Sequence, residues 1–149
     1  MRSGYAELSS MLNIPAKHIY AILSDYRVGH PAILPKQYFK KLVVEAGGTG
    51  AGTKIYVEMQ VAGTTKSFRH IVSEPEPGRV LTEADPDGST VTTFTVDPVG
   101  DGSSCRLTIG TKFPVREGFV GAMEEFFTSL TLRRIYAKET AQLAEYAGK

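Results

Sequence analysis

The stretch REGFVGAMEEFFTSLTLRRIYAKETAQLAEY, residues 116–146, has the pattern of one long helix near the end of the chain. No proline follows Pro114, so nothing in the stretch interrupts helical hydrogen bonding. Apolar residues recur at a spacing that places them on one helical face. These residues are Phe119, Met123, Phe126 and Leu130, with Val120 and Phe127 beside them. A rod of about 30 residues spans roughly 45 Å, so we expect it to lie along a large apolar surface.

The chain before this helix has the periodicity of β-strands separated by turns. Residues 54–61 show it best, because apolar and polar side chains alternate there along the whole segment. Glycine and proline clusters separate the other segments. We predict strands over residues 5–12, 38–46, 54–61, 66–74, 79–84, 89–97 and 104–112. Two short helices are predicted after the first strand, over residues 15–25 and 32–34, with Gly29 and Pro31 interrupting the helical pattern.

This order of elements predicts an α+β fold. Consecutive strands joined by tight turns form an antiparallel sheet. Each strand has one apolar face, so one face of the sheet needs a cover, which the long helix and the two short ones would supply. We therefore predict a curved antiparallel sheet of about seven strands around the C-terminal helix, with residues 1–149 forming one domain. We expect a space between the sheet and the first half of the helix.

Composition excludes several classes of function. The chain has 149 residues, a formal net charge of +1, and 42% hydrophobic and 22% charged residues. Such a balance gives no reason to expect nucleic acid or an anionic membrane as partner. No apolar run is long enough to span a bilayer, and the N-terminus lacks the pattern of a signal peptide. We therefore expect a cytoplasmic protein with no integral membrane association.

The residues that bind metals and phosphates are not arranged as such sites require. His18, His30 and His70 are dispersed, and no His-Glu-x-x-His spacing occurs. The only cysteine, Cys105, lies among apolar residues of a predicted strand, so we expect a buried thiol. The glycine cluster of residues 47–52 lacks the lysine of a phosphate loop. We expect no metal and no cofactor.

Four local phrases, in this order, resemble those of the START-like, or SRPBCC, superfamily. The first, residues 14–26, is IPAKHIYAILSDY; the second is His30-Pro31 followed by Leu34-Pro35. The third, residues 50–53, is GAGT before a strand, and the fourth, residues 72–79, is VSEPEPGR. Together with the final helix, they are most similar to the polyketide cyclase/dehydrase and lipid-transport branch.

The resemblance implies a helix-grip fold with an internal cavity that opens near the short helices. Members of the superfamily bind apolar or amphipathic small molecules such as lipids, sterols and aromatic polyketides, and some catalyse cyclisation or dehydration. It implies a small hydrophobic molecule as the partner. It does not decide between a monomer and a homodimer, and no catalytic motif of the family maps onto this chain.

Candidate ligand-binding residues follow from the predicted apolar faces. They are Tyr26, Tyr38, Val57, Met59, Phe68, His70, Phe94, Phe119, Met123, Phe126, Phe127 and Leu130. His70 shares a strand face with Phe68 and is a candidate acid or base, since its charge changes near neutral pH. Its neighbour Arg69 becomes the candidate instead if the strand register shifts by one residue.

Three functions are compatible with these residues. The preferred hypothesis is binding of a small hydrophobic or amphipathic ligand between the sheet and the long helix. A polyketide cyclase/dehydratase type of enzyme is the first alternative, with His70 or Arg69 in the catalytic role. A protein-interaction module is the second alternative, with Ile71 on the outer face of the sheet as its only indication.

Overall fold

The computed structural model describes all of residues 1–149. Seven strands form one sheet: β1 Arg2–Leu12, β2 Phe39–Ala46, β3 Lys54–Val61, β4 Thr64–Glu76, β5 Val80–Ala84, β6 Val91–Val99 and β7 Ser104–Val115. Three helices complete the fold: α1 Ala16–Ser24, α2 Gly29–Ile33 and α3 Gly118–Ala147. The predicted α+β architecture, with a seven-stranded sheet and a long C-terminal helix, is confirmed.

The strand order is β1-β7-β6-β5-β4-β3-β2, and every pair is antiparallel. Strands β2 to β7 form a meander in chain order, as tight turns dictate. The first strand then pairs with the last along its whole length, from Arg2 opposite Val115 to Leu12 opposite Cys105. Strands β4 and β7 extend beyond their predicted limits, because hydrogen bonding to a neighbour continues past the alternating part of the sequence.

The register of β3 and β4 decides which side chains of β4 face inward. Ile55 lies opposite His70, and Tyr56 lies opposite Arg69. Ile55 and His70 are buried, whereas Arg69 is exposed. The inward face of β4 therefore carries His70.

Helix α2 differs from its prediction. The sequence predicts helix over residues 32–34 with Gly29 and Pro31 as breakers, but both residues lie inside α2. Proline is tolerated in the first turn of a helix, because the backbone N–H that it lacks would have no partner there. The Asp25 carboxylate accepts hydrogen bonds from the backbone N–H groups of Val28 and Gly29, at 3.2 and 3.3 Å, which holds the start of the helix.

Helix α3 packs on the sheet with a different face from the predicted one. The inward face includes Leu132, Ile135, Tyr136, Glu139 and Leu143. Phe119 and Thr128, a residue of the cavity wall, are nine positions apart, and about 100° per residue places them on opposite sides of the helix. The predicted apolar stripe is therefore the outer face, and the exposed fractions of Phe119 and Phe126 are 80% and 62%.

Candidate functional site

A cavity of about 400 Å³ lies between the inner face of the sheet and α3. Its walls come from six of the seven strands, from α2 and the residues after it, and from the middle of α3. The apolar lining consists of Leu34, Phe39, Leu42, Ile55, Val57, Met59, Phe68, Phe94, Phe113, Leu132, Ile135 and Tyr136. Its volume falls within the range of about 300–1,000 Å³ that is usual for small-molecule sites.

Five of the predicted site residues line this cavity. Val57 and Met59 alternate along β3 with outward polar side chains, Phe68 and His70 do so along β4, and Phe94 lies on β6. In each strand the period of two puts these side chains on the inner face. The structure thus brings together the strand residues that the alternation singled out.

The predicted helix residues do not line the cavity. Phe119, Met123, Phe126 and Phe127 are exposed on the outer side of α3, and the half-buried Leu130 is not part of the cavity wall. Their periodicity is helical, as predicted, but periodicity does not say which side of the helix meets the sheet. The inner face mixes threonine, tyrosine and glutamate with its aliphatic residues, so it is the less conspicuous stripe in the sequence.

The two tyrosines predicted at the mouth are also absent from the cavity wall. Tyr26 is fully buried, where its ring stacks on His30 at a centroid distance of 4.4 Å and its hydroxyl donates to Glu83 Oε2 at 2.6 Å. Burial, followed by the charge of Glu83, raises the pKa of Tyr26 well above its ordinary value. Tyr38 is half-buried and packs against the core. Tyr26 therefore supports the wall from behind.

His70 is the best-placed candidate for acid–base chemistry. Its Nε2 lies 3.0 Å from Asp85 Oδ1, and its ring is 4.5 Å from that of Phe68. When Asp85 Oδ1 accepts a hydrogen bond from Nε2–H, Nδ1 of the neutral imidazole is left as an acceptor. This Nδ1 is buried and has no hydrogen-bond partner. His70 thus has one nitrogen fixed by a carboxylate and the other free.

Arg69 points away from the cavity, so it is wrong as a catalytic candidate. Its Nε lies 3.0 Å from Glu45 Oε1, and its guanidinium carbon is 4.9 Å from the centroid of the Tyr56 ring. These contacts lie on the outer face of the sheet, and 64% of the Arg69 side chain is exposed. The period of two in β4 gives adjacent residues opposite faces, so an inward His70 requires an outward Arg69.

A second histidine–carboxylate pair lies in the same cavity and was not among the predicted residues. His30 Nδ1 is 2.7 Å from the carbonyl oxygen of Leu23, which can only accept, so Nδ1 carries a proton. His30 Nε2 faces Glu83 Oε2 at 3.4 Å. Glu83 Oε2 also accepts the hydrogen bond from the Tyr26 hydroxyl group, so this carboxyl group lies between His30 and Tyr26.

Glu139 is the most deeply buried carboxyl group of the cavity wall. It lies on the inner face of α3, is 4% exposed, and its Oε2 has no hydrogen-bond partner. Burial, followed by the negative charge of Glu83, raises the pKa of Glu139 to about 8. The carboxyl group is thus neutral at pH 7. Nearby, the hydroxyl groups of Tyr136 and Thr111 share a hydrogen bond.

These polar residues are not evident from the sequence, because charged side chains are ordinarily exposed. A signal was available, since Leu132, Ile135, Glu139 and Leu143 follow helical spacing. Glu83, Asp85 and His30 carry no comparable signal, because only the pairing of β5 with its neighbours and the position of α2 bring them to the cavity.

The sequence comparison identifies the family to which this architecture belongs. The family model described as polyketide cyclase / dehydrase and lipid transport matches residues 6–148. The chain belongs to this family. Among proteins of curated function, none matches the chain in sequence. Membership of the family supports a small-molecule site, and it is compatible with both binding and catalysis.

Three solved structures resemble the chain along nearly its full length. The solution structure of KanY protein is 26% identical with a TM-score of 0.84, and the match covers 100% of both chains. Zhui aromatase/cyclase from Streptomyces sp. R1128 is 13% identical with a TM-score of 0.76, covering 99% of this chain and 94% of that one. A START superfamily protein from Mycobacterium smegmatis is 16% identical with a TM-score of 0.75, covering 96% and 99%. The START-like resemblance and the helix-grip fold are confirmed.

No helix in the structure combines the length and the apolar character that are needed to cross a bilayer. The long helix α3 carries charged residues along its whole length, among them Glu124, Arg133 and Lys138.

Proposed function

We propose that this protein binds a small hydrophobic or amphipathic molecule in the cavity between the sheet and α3. The observation that carries the proposal is the cavity of about 400 Å³ with its predominantly apolar wall. Apolar walls supply affinity through burial of ligand surface, at about 25 cal/mol for each Å² removed from water. A few polar groups at fixed positions then orient the ligand.

Native mass spectrometry of gently purified protein tests this proposal. We expect a fraction of the protein to carry a bound compound, which denaturation releases for chemical analysis. The same protein, freed of that compound, is then titrated with naphthalene and with 2-acetylnaphthalene, a ketone of similar size. The chain contains no tryptophan, so no tryptophan emission overlaps the fluorescence of these probes. A protein that binds neither probe and carries no compound would contradict the proposal.

A second candidate function is acid–base catalysis on a bound carbonyl compound, as in a cyclase or dehydratase. The observation that favours it is the His70–Asp85 pair, in which a carboxylate holds one imidazole nitrogen and leaves the other free. A proton on the carbon next to a ligand carbonyl would move to His70 Nδ1, while the C–H electron pair forms a C=C bond and the carbonyl π pair moves onto oxygen to give an enolate. Zhui, which has the same fold, is an aromatase/cyclase.

Hydrogen–deuterium exchange measures that step directly. If the protein is such an enzyme, the methyl protons of 2-acetylnaphthalene should exchange with D₂O faster in the presence of the protein than in buffer alone. NMR measures the exchange rate. A general base contributes about 10²–10⁴-fold, so His70→Asn would lose at least about 100-fold. Arg69→Ala, on the outer face of the same strand, is the matched control and would retain the rate. An exchange rate unaffected by His70→Asn would rule out this role.

A further inference from the structure

The Glu139 carboxyl group is buried in the cavity wall without a protein partner, which is costly unless something else pairs with it. An unpaired polar group in such a place costs about 1–3 kcal/mol. Oε2 has no partner within the protein. The middle of a helix offers no backbone N–H for it, because those groups bond along the helix. The Glu139 carboxyl group lowers stability in this position, and it is free to form a hydrogen bond with a ligand.

The groups around Glu139 make its neighbourhood acidic. Glu83 lies on β5, and its negative charge raises the pKa of Glu139. The hydroxyl groups of Tyr26 and Tyr136 also lie within range of the Glu139 charge, from the segment before α2 and from α3 itself. His30 of α2 is engaged with Glu83. No lysine or arginine neutralises this end of the cavity.

The complete cavity wall has the same charge bias. Its carboxyl groups are Glu83, Asp85 and Glu139, and its only lysine or arginine is Lys66. Lys66 is exposed near the start of β4. A ligand carboxylate placed next to Glu139 would meet the negative charge of Glu83, which already disfavours ionisation of Glu139, in a poorly solvated space.

We propose that the cavity selects an uncharged ligand with a carbonyl or hydroxyl oxygen, which accepts a hydrogen bond from the Glu139 carboxyl group, and that it rejects carboxylates of the same shape. This inference rests on the proposed function and specifies the chemical class of the ligand. Ketones, phenols and alcohols on an apolar skeleton fit the description, whereas free fatty acids do not. His70 Nδ1, the other unpartnered polar atom of the wall, accepts from a ligand hydroxyl group.

A panel of four naphthalenes with one skeleton tests the selectivity. The probes are naphthalene, 2-acetylnaphthalene, 2-naphthol and 2-naphthoate, and the Kd of each is measured by fluorescence at pH 6. We expect the ketone and the phenol to bind at least about tenfold more tightly than the naphthoate, since a buried unpaired charge is costly. We expect them also to bind more tightly than naphthalene, which leaves Glu139 unpaired.

Two variants of Glu139 assign the effect to this residue. Glu139→Gln keeps a hydrogen-bond donor and is expected to retain the preference for the ketone over naphthalene. Glu139→Leu removes the donor, and we expect it to bind naphthalene at least as tightly as the wild type while the preference for the ketone disappears. Phe126→Ala, on the outer face of α3, is the matched control and is expected to behave as the wild type.

The pH dependence provides an independent measurement. The ketone has no ionisable group, so its affinity reports the protonation of the protein alone. Because the neutral carboxyl group of Glu139 is the donor, the affinity is expected to fall as the pH rises through about 8. Glu139→Gln is expected to bind the ketone equally well on both sides of that pH. His70, His30 and the tyrosines remain in both proteins, so the difference between them isolates Glu139.

The outcomes separate this inference from the proposed function. Equal binding of all four probes, or preferred binding of the naphthoate, overturns the selectivity while binding in the cavity stands. An unchanged ketone preference in Glu139→Leu overturns the role of Glu139. Failure of every probe to bind the wild type overturns this inference, and it overturns the proposed function as well if the purified protein also carries no compound.

Discussion

At the scale of single residues, Glu139 connects stability with ligand recognition. The ordinary pKa of its carboxyl group is 4.5, and burial raises it to about 8 in the folded chain. The folded state therefore keeps a proton that the unfolded chain releases above about pH 4.5. The contribution of Glu139 to the free energy of unfolding is greatest below about pH 4.5, falls as the pH rises, and levels off above about pH 8.

Glu139→Gln is expected to remove the loss of stability that Glu139 causes as the pH rises from about 4.5 to about 8. At pH 8.5 the variant should have a free energy of unfolding higher than that of the wild type by a few kcal/mol, with about 5 kcal/mol as the upper bound. At pH 4.5 the advantage should largely disappear. Urea denaturation at both pH values measures the difference, with Glu145→Gln on the exposed surface of α3 as control. If the difference in free energy of unfolding between Glu139→Gln and the wild type were the same at both pH values, Glu139 could not be protonated in the folded state and ionised in the unfolded chain.

At the scale of elements, α3 has two apolar faces with different roles. The inner face packs on the sheet and completes the cavity, whereas the outer face exposes a cluster that we call the outer stripe. The outer stripe consists of Phe119, Val120, Met123, Phe126 and Phe127. An exposed apolar cluster of this kind is often a contact site. It lies on the helix, whereas the sequence indicated the outer face of the sheet near Ile71.

Substitutions on the two faces of α3 are expected to differ in their effect on stability. Phe119→Ser, in the outer stripe, should change the free energy of unfolding by less than about 0.5 kcal/mol. Leu143→Ala, on the inner face and fully buried, should lower it by about 2–5 kcal/mol. Urea denaturation of the two variants checks this. A loss of more than about 2 kcal/mol for Phe119→Ser would mean that the outer stripe is covered in solution.

At the scale of the whole molecule, the cavity is the space that the inner face of the sheet and α3 leave between them. The end of α3 packs into the core through Leu143 and Ala147. Towards the middle of the helix the gap widens, where Thr128 and Leu132 form the helical side of the cavity. Binding at this site therefore depends on the space between two elements that are distant in sequence.

Filling that space is expected to weaken binding without unfolding the protein. Leu132→Trp places a larger side chain in the cavity and should weaken binding of 2-acetylnaphthalene at least about tenfold, at a cost of about 1–3 kcal/mol in stability. Ala137→Trp, at an exposed position of the same helix, is the matched control and should leave the affinity unchanged. Isothermal titration calorimetry measures both. Unchanged affinity in Leu132→Trp would show that the probe binds elsewhere.

Prediction from the sequence was most accurate where local periodicity decides the structure. The alternation in β3 and β4 identified Val57, Met59, Phe68 and His70, because a period of two assigns each side chain to a face within a few residues. The prediction that the outer stripe lines the cavity was wrong, since a helix can be apolar on two sides and only one side meets the sheet. The prediction was also wrong for Tyr26, whose buried position depends on Glu83 and His30.

The sequence by itself determined the number, type and order of the elements, since hydrophobic periodicity, turn residues and proline positions act within a few residues of one another. Only the tertiary structure decided which face of α3 is inside and which polar groups meet in the cavity. Glu139 on α3, Glu83 on β5 and His30 on α2 are brought together by strand pairing and helix packing. Burial then makes Glu139 a neutral acid, because removing a carboxyl group from water penalises its charged form.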